Sequence, residues 1–359
     1  MFVDKAEYKT VERLIVVARE GWGNTDFIEH VQNAAEQGIH VIFIGTSGGS
    51  VCMNDTLVCH YIERGYIGLT FALRSALLCR RLIRSEIKLH TVIHVRYFKL
   101  CAILPIICNG TFFMDIRTSS LKGRLLIRKI ENSLMKLESW FFRSTSVISN
   151  AVAQLIGLKH FSVLPLGASC ELLSVGRRKR LNSNELSFVY IGTFSKRNME
   201  IFVESFRQYI QETKRNWTFT IYGYGSDEEV RRLINAIGDC KQISFRGKIS
   251  RNLIAEALRI SDIGVSFVPI TDYFNYQPPT KTYEYLFAGL PVLATATFAN
   301  REIVNQDNGW IFADTPIGVR AVLSAVAETY KLKRVDRADL ERFSWGSIFE
   351  RDYLPFIRQ

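Results

Sequence analysis

The sequence has little of what marks the special classes of protein. Its 359 residues include only 8 prolines and 23 glycines, too few for a collagen-like or low-complexity chain. Charged residues make up 23% and apolar residues 47%, the balance of a globular protein and not of a disordered one. The 7 cysteines are odd in number and show no CxxC pair and no zinc-ligand spacing. A disulfide scaffold is therefore excluded, and a reducing cytoplasm is expected. The longest uncharged apolar run, around residues 100–108, is about half of what a membrane-spanning helix needs. The first twenty residues mix acids and bases around a short apolar stretch, so no secretory signal is expected.

Several chemistries are missing as well. No GxxxxGK[ST] phosphate loop and no GxSxG nucleophile elbow occur. Gly21-Trp-Gly23 is followed by Asp26 where a dinucleotide fingerprint needs its third glycine. The second predicted strand ends in Gly45-Thr46, with no acid for a ribose. All 6 histidines lie in the first half. His90 and His94 share a strand face by their even spacing but have no third ligand, so neither a metal site nor a cofactor is expected.

What is present is length and asymmetry. A chain of this size suits two domains. Residues 1–180 carry 24 Lys and Arg against 14 Asp and Glu, a net +10, whereas residues 181–359 carry 22 against 21. A basic half beside a neutral half points to an anionic partner for the first half: lipid headgroups, phosphates or nucleic acid. No aromatic-interleaved basic motif of an RNA or DNA module is visible, so nucleic acid is not expected.

Strand and helix patterns alternate through both halves, the mark of α/β architecture. In the first half the strands read at 13–18 (RLIVVA), 40–45 (HVIFIG), 90–95 (HTVIHV) and 112–116 (FFMDI), with two short ones at 146–149 and 162–166. Helices read at 26–37, 61–84 and 125–139. Residues 171–185 are polar, basic and non-periodic and read as a linker. The pattern restarts at 188–191 (FVYI) and runs to a terminal aromatic helix at 344–357. The expected domains are 1–170, joined by the terminal helix 343–359, and 186–342. Two such domains bring their strand C-termini to a cleft, where open parallel sheets bind ligands.

The segment 278–292 (PPTKTYEYLFAGLPV) carries the most chemistry. Two prolines keep the chain out of helix before Thr280, which is placed to cap the helix, and Gly289 ends it. A helix N-terminus favours negative charge, and Lys281 beside it strengthens diphosphate binding. Glu284 is placed to accept hydrogen bonds from a ribose diol. A plain surface helix, with Glu284 on the dipole and Lys281 in water, explains the same residues equally well.

The surroundings favour the first reading. The segment resembles the donor-binding signature of retaining GT-B glycosyltransferases, specifically glycosyltransferase family 4 (glycosyl transferases group 1), and the resemblance runs in register through the second half. FVYIGTFSKRNMEIFVESF resembles the family's first C-domain strand, basic loop and helix, and FTIYGYGSDEE its strand followed by GxG. ISFRGKISRNLIAEALRISDIGVSF, with Asp262, and PVLATATFANREIVNQDNGWIF resemble the elements that follow. LPLGAS at 164–169 and LESWFFRSTSVIS at 137–149 are similar to first-domain segments, and SWGSIFERDY to the helix that returns to the first domain.

The resemblance implies two Rossmann-like domains and transfer of a sugar from a nucleotide diphosphate, without metal and with retention of configuration. It implies that Glu284 holds the ribose. Tyr276 stands where the family has an earlier glutamate that touches the donor sugar, and Thr193 where it has an arginine. The basic diphosphate contact then falls to Lys196 or Arg197, with Arg197 preferred for its planar fork. Arg246, Gly247 and Lys248 match the loop that contacts the base, and Gly21 and Gly23 the turn near the donor phosphates. Asp115 and Arg117 stand where a histidine is common in the family, as an acid–base group or as a structural pair. Arg197, Lys281 and the helix start at Thr280 are expected to stabilise the leaving diphosphate.

The basic first half fits a lipid-linked saccharide acceptor at the inner face of the cytoplasmic membrane. On a helix through 61–88, Arg74, Arg81, Arg84 and Lys88 fall within about 80° of arc, with Phe71, Leu77 and Leu78 alongside. Lys122, Arg124, Arg128 and Lys129 form a second basic group. Two alternatives stay open here: a non-hydrolysing nucleotide-sugar epimerase of related fold, and a non-catalytic basic adaptor.

Overall fold

The structure is a computed structural model. It describes residues 10–19, 25–46, 56–62, 68–85, 89–120, 124–169, 172, 182–336, 338 and 340–359, without the side chains of 25–27. Gly21, Gly23, Lys88, Lys122 and most of the expected linker lie outside the described residues. The chain divides into two units: Met1–Pro165 together with Trp345–Gln359, and Leu166–Ser344.

The first unit is built on seven parallel strands in the order β3-β2-β1-β4-β5-β6-β7. They are β1 (Arg13–Val17), β2 (His40–Thr46), β3 (Leu57–Ile62), β4 (Thr91–Arg96), β5 (Thr111–Ile116), β6 (Ser144–Val147) and β7 (Ser162–Val163). β1 is buried along its whole length, as a central parallel strand covered on both faces must be. The helices are α1 (Thr25–Glu36), α2 (Leu69–Ser85), α3 (Ile103–Ile107), α4 (Leu125–Ser139) and α5 (Asn150–Ile156). Right-handed crossovers place α1 on one face of the sheet, and α2, α3, α4 and α5 on the other.

One expectation is corrected here. Residues 61–84 are not one helix: Leu57–Ile62 is an edge strand beside β2, and the helix begins at Leu69. The strand LVCHYI is only partly buried, so it lacks the continuous apolar run that revealed its neighbours. Phe71 belongs to the core, whereas Leu77 is exposed.

The C-terminal segment completes the core on the α1 side. Phe349, Tyr353, Phe356 and Ile357 join Val31, Val92 and Phe113 in one apolar cluster. Tyr353 stacks on His30 at 4.6 Å, and its hydroxyl meets His94 Nδ1 at 2.9 Å. His94 is fully buried, and that burial lowers its pKa from 6.5 to about 4; the Asp115 charge opposes this shift, while the Arg117 and Arg96 charges add to it. The unfolded chain therefore takes up this proton before the folded one does. Stability is expected to fall as pH drops from 6.5 toward 4, by about 3 kcal/mol in total from this group. Thermal melts of wild type and His94→Gln across that range check it, since the variant's profile loses this component.

The second unit has six parallel strands in the order β10-β9-β8-β11-β12-β13. These are β8 (Ser187–Thr193), β9 (Thr218–Tyr224), β10 (Ile243–Phe245), β11 (Ile263–Ser266), β12 (Val292–Thr295) and β13 (Gly309–Phe312). The helices are α6 (Met199–Thr213), α7 (Asp227–Ile237), α8 (Arg251–Arg259), α9 (Thr280–Phe287), α10 (Phe298–Arg301) and α11 (Pro316–Thr329). Its core is rich in aromatic side chains, with Phe188, Phe202, Phe206, Trp217 and Phe219 packed at ring distances of 5.0–6.3 Å.

Candidate functional site

The site of the second unit is assembled where β8, β9 and β11 end and α9 begins. Packing under α9 fixes that helix. Tyr285 is fully buried, and its hydroxyl accepts a hydrogen bond from the Ile191 amide of β8 at 2.9 Å. Gly264 of β11 leaves room for the ring: a Cβ there would lie 2.3 Å from Tyr285 Cγ. On the same helix, Thr282 Oγ1 lies 2.7 Å from Ser266 Oγ and 3.0 Å from Asn300 Oδ1. Asn300 in turn donates to the Thr295 carbonyl. α9 is thus pinned to β8, β11, β12 and α10, and its first turn is held in place.

Thr280 does not cap this helix. Pro279 occupies the cap position without a side-chain acceptor, and Thr280 is the first helical residue. A proline cannot offer the side-chain oxygen that a cap needs, and of the first-turn amides that of Thr282 donates instead to the Pro279 carbonyl at 3.0 Å.

Lys281 is buried beside this start. Its Nζ sits 3.8 Å from the centroid of the Tyr190 ring and has no hydrogen-bond partner among the described residues. Burial pushes its pKa well below 10.5, the Arg197 charge pushes it further, and Glu284 opposes both. Arg197 stacks its guanidinium on Phe274 at 4.1 Å, and its Nε is likewise buried without a hydrogen-bond partner. Two cations therefore converge, with Lys281 Nζ and Arg197 Nε both lacking a hydrogen-bond partner among the described residues. Burying cations that way is unfavourable unless an anion arrives. Glu284, one turn along α9, is held above the usual carboxylate range by burial and drawn back by Lys281 and Arg251. Gln277, in the loop before α9, adds a third buried polar atom, Oε1, with no partner.

Glycines shape the floor. Gly192, next to last in β8, has φ +155°, and a Cβ there would stand 2.8 Å from Lys281 Nζ. Gly223 is the penultimate residue of β9 and Gly225 follows the strand; the Gly223 amide donates to the Gly247 carbonyl at 2.8 Å. Gly247 has φ +72°. Arg246 and Lys248 flank it as exposed cations, with Lys248 Nζ 5.6 Å from the Tyr224 ring centroid.

The basic loop between β8 and α6 is strained. Lys196 has φ +55° and Asn198 φ +49°, conformations that side-chain-bearing residues rarely adopt. Glu229 holds this loop. It accepts from the Lys196 amide at 3.0 Å and from the Ser226 amide at 2.8 Å, and these bonds lower its pKa. The Lys196 side chain is exposed while Arg197 turns inward, so of the two it is Arg197 that the structure brings to Lys281. Glu229 escaped the sequence reading; its signal was the capping pattern Ser226-x-x-Glu229 directly after the GxG turn. Replacing Glu229 by alanine is expected to cost about tenfold in kcat/KM by releasing the loop. Steady-state kinetics with Glu229→Gln, which keeps one acceptor oxygen and should recover part of the loss, separates positioning from folding.

Tyr276 is half-buried, its ring 5.9 Å from Phe298. It packs where a sugar-contacting carboxylate was sought, and Asp272 on the same loop is exposed. Asp115 and Arg117 belong to the first unit. Both are buried, 3.1 Å apart, with Ser146 Oγ donating to Asp115 at 2.8 Å and Arg117 donating to the Leu164 carbonyl. In this geometry the pair ties β5, β6 and β7 together. Among the described residues no three His, Cys, Asp or Glu side chains converge as metal ligands.

Comparison with known proteins adds to the geometry. The family model described as "Glycosyl transferases group 1" matches residues 185–329, the span from β8 to the end of α11. No curated relative matches the sequence. Among solved structures, a glycosyltransferase from Rickettsia africae is similar at TM-score 0.76 and 15% identity, over 96% of this chain and 97% of that one. Anabaena Alr3699/HepE, in complex with UDP and glucose, is similar at TM-score 0.73 and 11% identity, over 95% and 98%. An alpha,alpha-trehalose-phosphate synthase (UDP-forming) from Burkholderia xenovorans, in complex with glucose-6-phosphate, is similar at TM-score 0.69 and 11% identity, over 97% and 100%. At these identities the likeness shows the fold.

Proposed function

We propose that this chain, a GT-B glycosyltransferase whose second unit belongs to the glycosyl transferases group 1 family, moves a sugar from a nucleotide diphosphate to a hydroxyl of a lipid-linked saccharide, with retention of configuration. The observation that carries the donor half is the pair of cations near the start of α9, buried Lys281 and half-buried Arg197, whose Nζ and Nε are buried without a hydrogen-bond partner among the described residues. A leaving diphosphate supplies the missing anion, and preorganised positive charge is worth most where negative charge develops. Glu284, one turn further, accepts from the ribose diol. The loop of Arg246, Gly247 and Lys248 lies against the base, and Lys196 adds outer positive charge. Tyr276 and the loop before α9 border the donor sugar.

In the reaction the bond from the sugar's anomeric carbon to the diphosphate oxygen breaks. The acceptor oxygen bonds to that carbon on the same face, and its proton passes to the leaving phosphate. UDP is the first donor base to try, because Anabaena HepE holds it. The first unit is assigned the acceptor, with Asp115 and Arg117 as positioning residues that keep its sheet in register. A cytoplasmic enzyme working at an anionic membrane surface fits the basic excess of residues 1–180; no described helix is long and apolar enough to cross a membrane.

Incubation with a panel of UDP- and GDP-sugars and short polyprenyl-diphosphate saccharides, followed by mass spectrometry, tests the proposal. A glycoside plus nucleoside diphosphate supports it. A free epimer of the sugar nucleotide, without a glycoside, replaces it with the epimerase reading.

A further inference from the structure

The first unit wears its apolar residues on the wrong side of one helix. In α4, Leu126, Ile130, Leu134 and Leu137 recur at i, i+4, i+8 and i+11, the spacing of a core-facing stripe. Yet they are 70%, 52%, 45% and 46% exposed, and the helix packs inward through Asn132 and Met135 instead. Asn132 accepts from the Ser120 amide and donates to the Leu155 carbonyl, which fixes that orientation. Trp140, 72% exposed, follows directly at the end of the helix.

The stripe is not isolated. α2, on the same face of the sheet, exposes Leu69, Leu73 and Leu77 at i, i+4 and i+8. The exposed arginines 80, 81 and 84 follow along the same helix, Arg74 is exposed as well, and α2 contains no acid. α3 lies next to both helices: Cys108 bonds to the Ala76 carbonyl of α2, and Glu138 of α4 accepts from the Leu100 and Ala102 amides. The two acids of α4 are engaged inward, Glu131 with Lys99 and Ser120, and Glu138 with the start of α3. Arg124 and Lys129 remain exposed on it. The result is a broad apolar face, accompanied by positive charge and, among the described residues of α2 and α4, without outward carboxylates.

We infer that the outward face of α2, α3 and α4 docks on an anionic lipid bilayer, with the α4 stripe in the acyl boundary and the α2 arginines on headgroup phosphates. Apolar stripes flanked by arginine suit an interface in which one layer is greasy and the next negative. Trp140 takes the position that tryptophan favours at such boundaries. A second copy of the chain fits worse, because a symmetric contact would set one arginine row against another. The inference deepens the membrane part of the proposed function, naming the surface that does the binding, and it does not depend on the donor site.

Co-sedimentation with vesicles of phosphatidylcholine alone, and with added phosphatidylglycerol, tests it at low and high salt. Wild type is expected to bind the anionic vesicles at least tenfold better than the neutral ones. Ile130→Asp with Leu137→Asp, both at exposed positions, is expected to lose binding about tenfold or more at either salt. Arg80→Glu with Arg81→Glu should lose chiefly the salt-sensitive part. Melting temperature and UDP binding, measured on the same variants, are expected to stay as in wild type. A failed donor site would remove UDP binding and leave sedimentation with vesicles intact, so the two failures are distinguishable. Absence of binding to anionic vesicles, or an Ile130→Asp/Leu137→Asp variant that binds like wild type, overturns the inference. A vesicle-free dimer in sedimentation velocity that the same variant dissolves would assign the face to a second copy and also overturn it.

Discussion

Lys281→Ala is expected to reduce kcat by about 10²–10³ while the protein remains folded, the scale of losing one preorganised charge on a developing anion. The prediction has a second arm that a merely structural lysine would not share. Lys281 is buried, its Nζ lacks a hydrogen-bond partner, and its nearest polar company includes another cation, Arg197. In the free protein that charge is a burden on stability, because desolvation and like charge both disfavour it. Lys281→Met keeps the aliphatic stem and removes the charge, so its melting temperature at pH 7 should equal or exceed that of wild type while its turnover collapses. The pH dependence follows with a definite sign. The folded pKa lies below the ordinary 10.5, so between those two values the unfolded chain holds the proton and the folded chain has released it. Stability therefore rises with pH through that window in wild type, and Lys281→Met lacks this rise. Differential scanning fluorimetry at several pH values reads all of it.

Gly223→Ala is the second large effect. A Cβ at this position would lie 2.1 Å from the Gly192 carbonyl oxygen and 2.8 Å from the Phe194 ring. Neither neighbour has an easy retreat: one is backbone of the adjacent strand β8, and Phe194 is buried beside Tyr190. Relief requires β8 and β9 to part at their C-terminal ends, where Gly192 borders Lys281 and where Gly223 bonds to Gly247. A cost of about 1–3 kcal/mol is the usual scale of such overpacking. The accompanying loss of nucleotide binding should be far larger than that of Gly238→Ala. Gly238 follows the far end of α7, where a Cβ would meet only the tip of Arg207 at 3.4 Å and the Asn235 carbonyl oxygen at 3.9 Å, so the main cost is its own φ of +56°. Chemical denaturation together with nucleotide titration of both variants compares the two.

Much of the fold was legible because parallel strands buried on both faces are continuous apolar runs. RLIVV, HVIFIGT and SFVYIGT each became a strand close to its expected bounds. What failed was local and had local causes. Leu57–Ile62 is an edge strand, half exposed, and its mixed composition blended into the helix that follows. Ile103–Ile107 carries a proline inside one helical turn and passed for an apolar run. The α4 stripe is the more instructive case, since its spacing is visible in the sequence. Periodicity says that Leu126, Ile130, Leu134 and Leu137 share a side; it does not say that the opposite side, with Asn132 and Met135, is the one that packs.

The candidate site was legible in its charges and not in their contacts. The positions of Lys281 and Glu284 on a helix after two prolines follow from sequence. That Lys281 is buried against Tyr190, that Arg197 and not Lys196 turns toward it, and that Glu229 props the loop between them depend on side-chain directions that only tertiary packing sets. Asp115 and Arg117 show the converse. The resemblance left them as an acid–base group or a structural pair, and the structure engages them with each other, with Ser146 and with the Leu164 carbonyl.

Isothermal titration of UDP and GDP into wild type and Lys281→Met, at equal buffer and salt, measures whether the second unit grips a pyrophosphate through its buried ammonium. At least one nucleotide should bind wild type, and the same nucleotide should bind the folded variant at least tenfold more weakly. Equal affinity of the two proteins, or no binding of either nucleotide to wild type, would contradict the assignment.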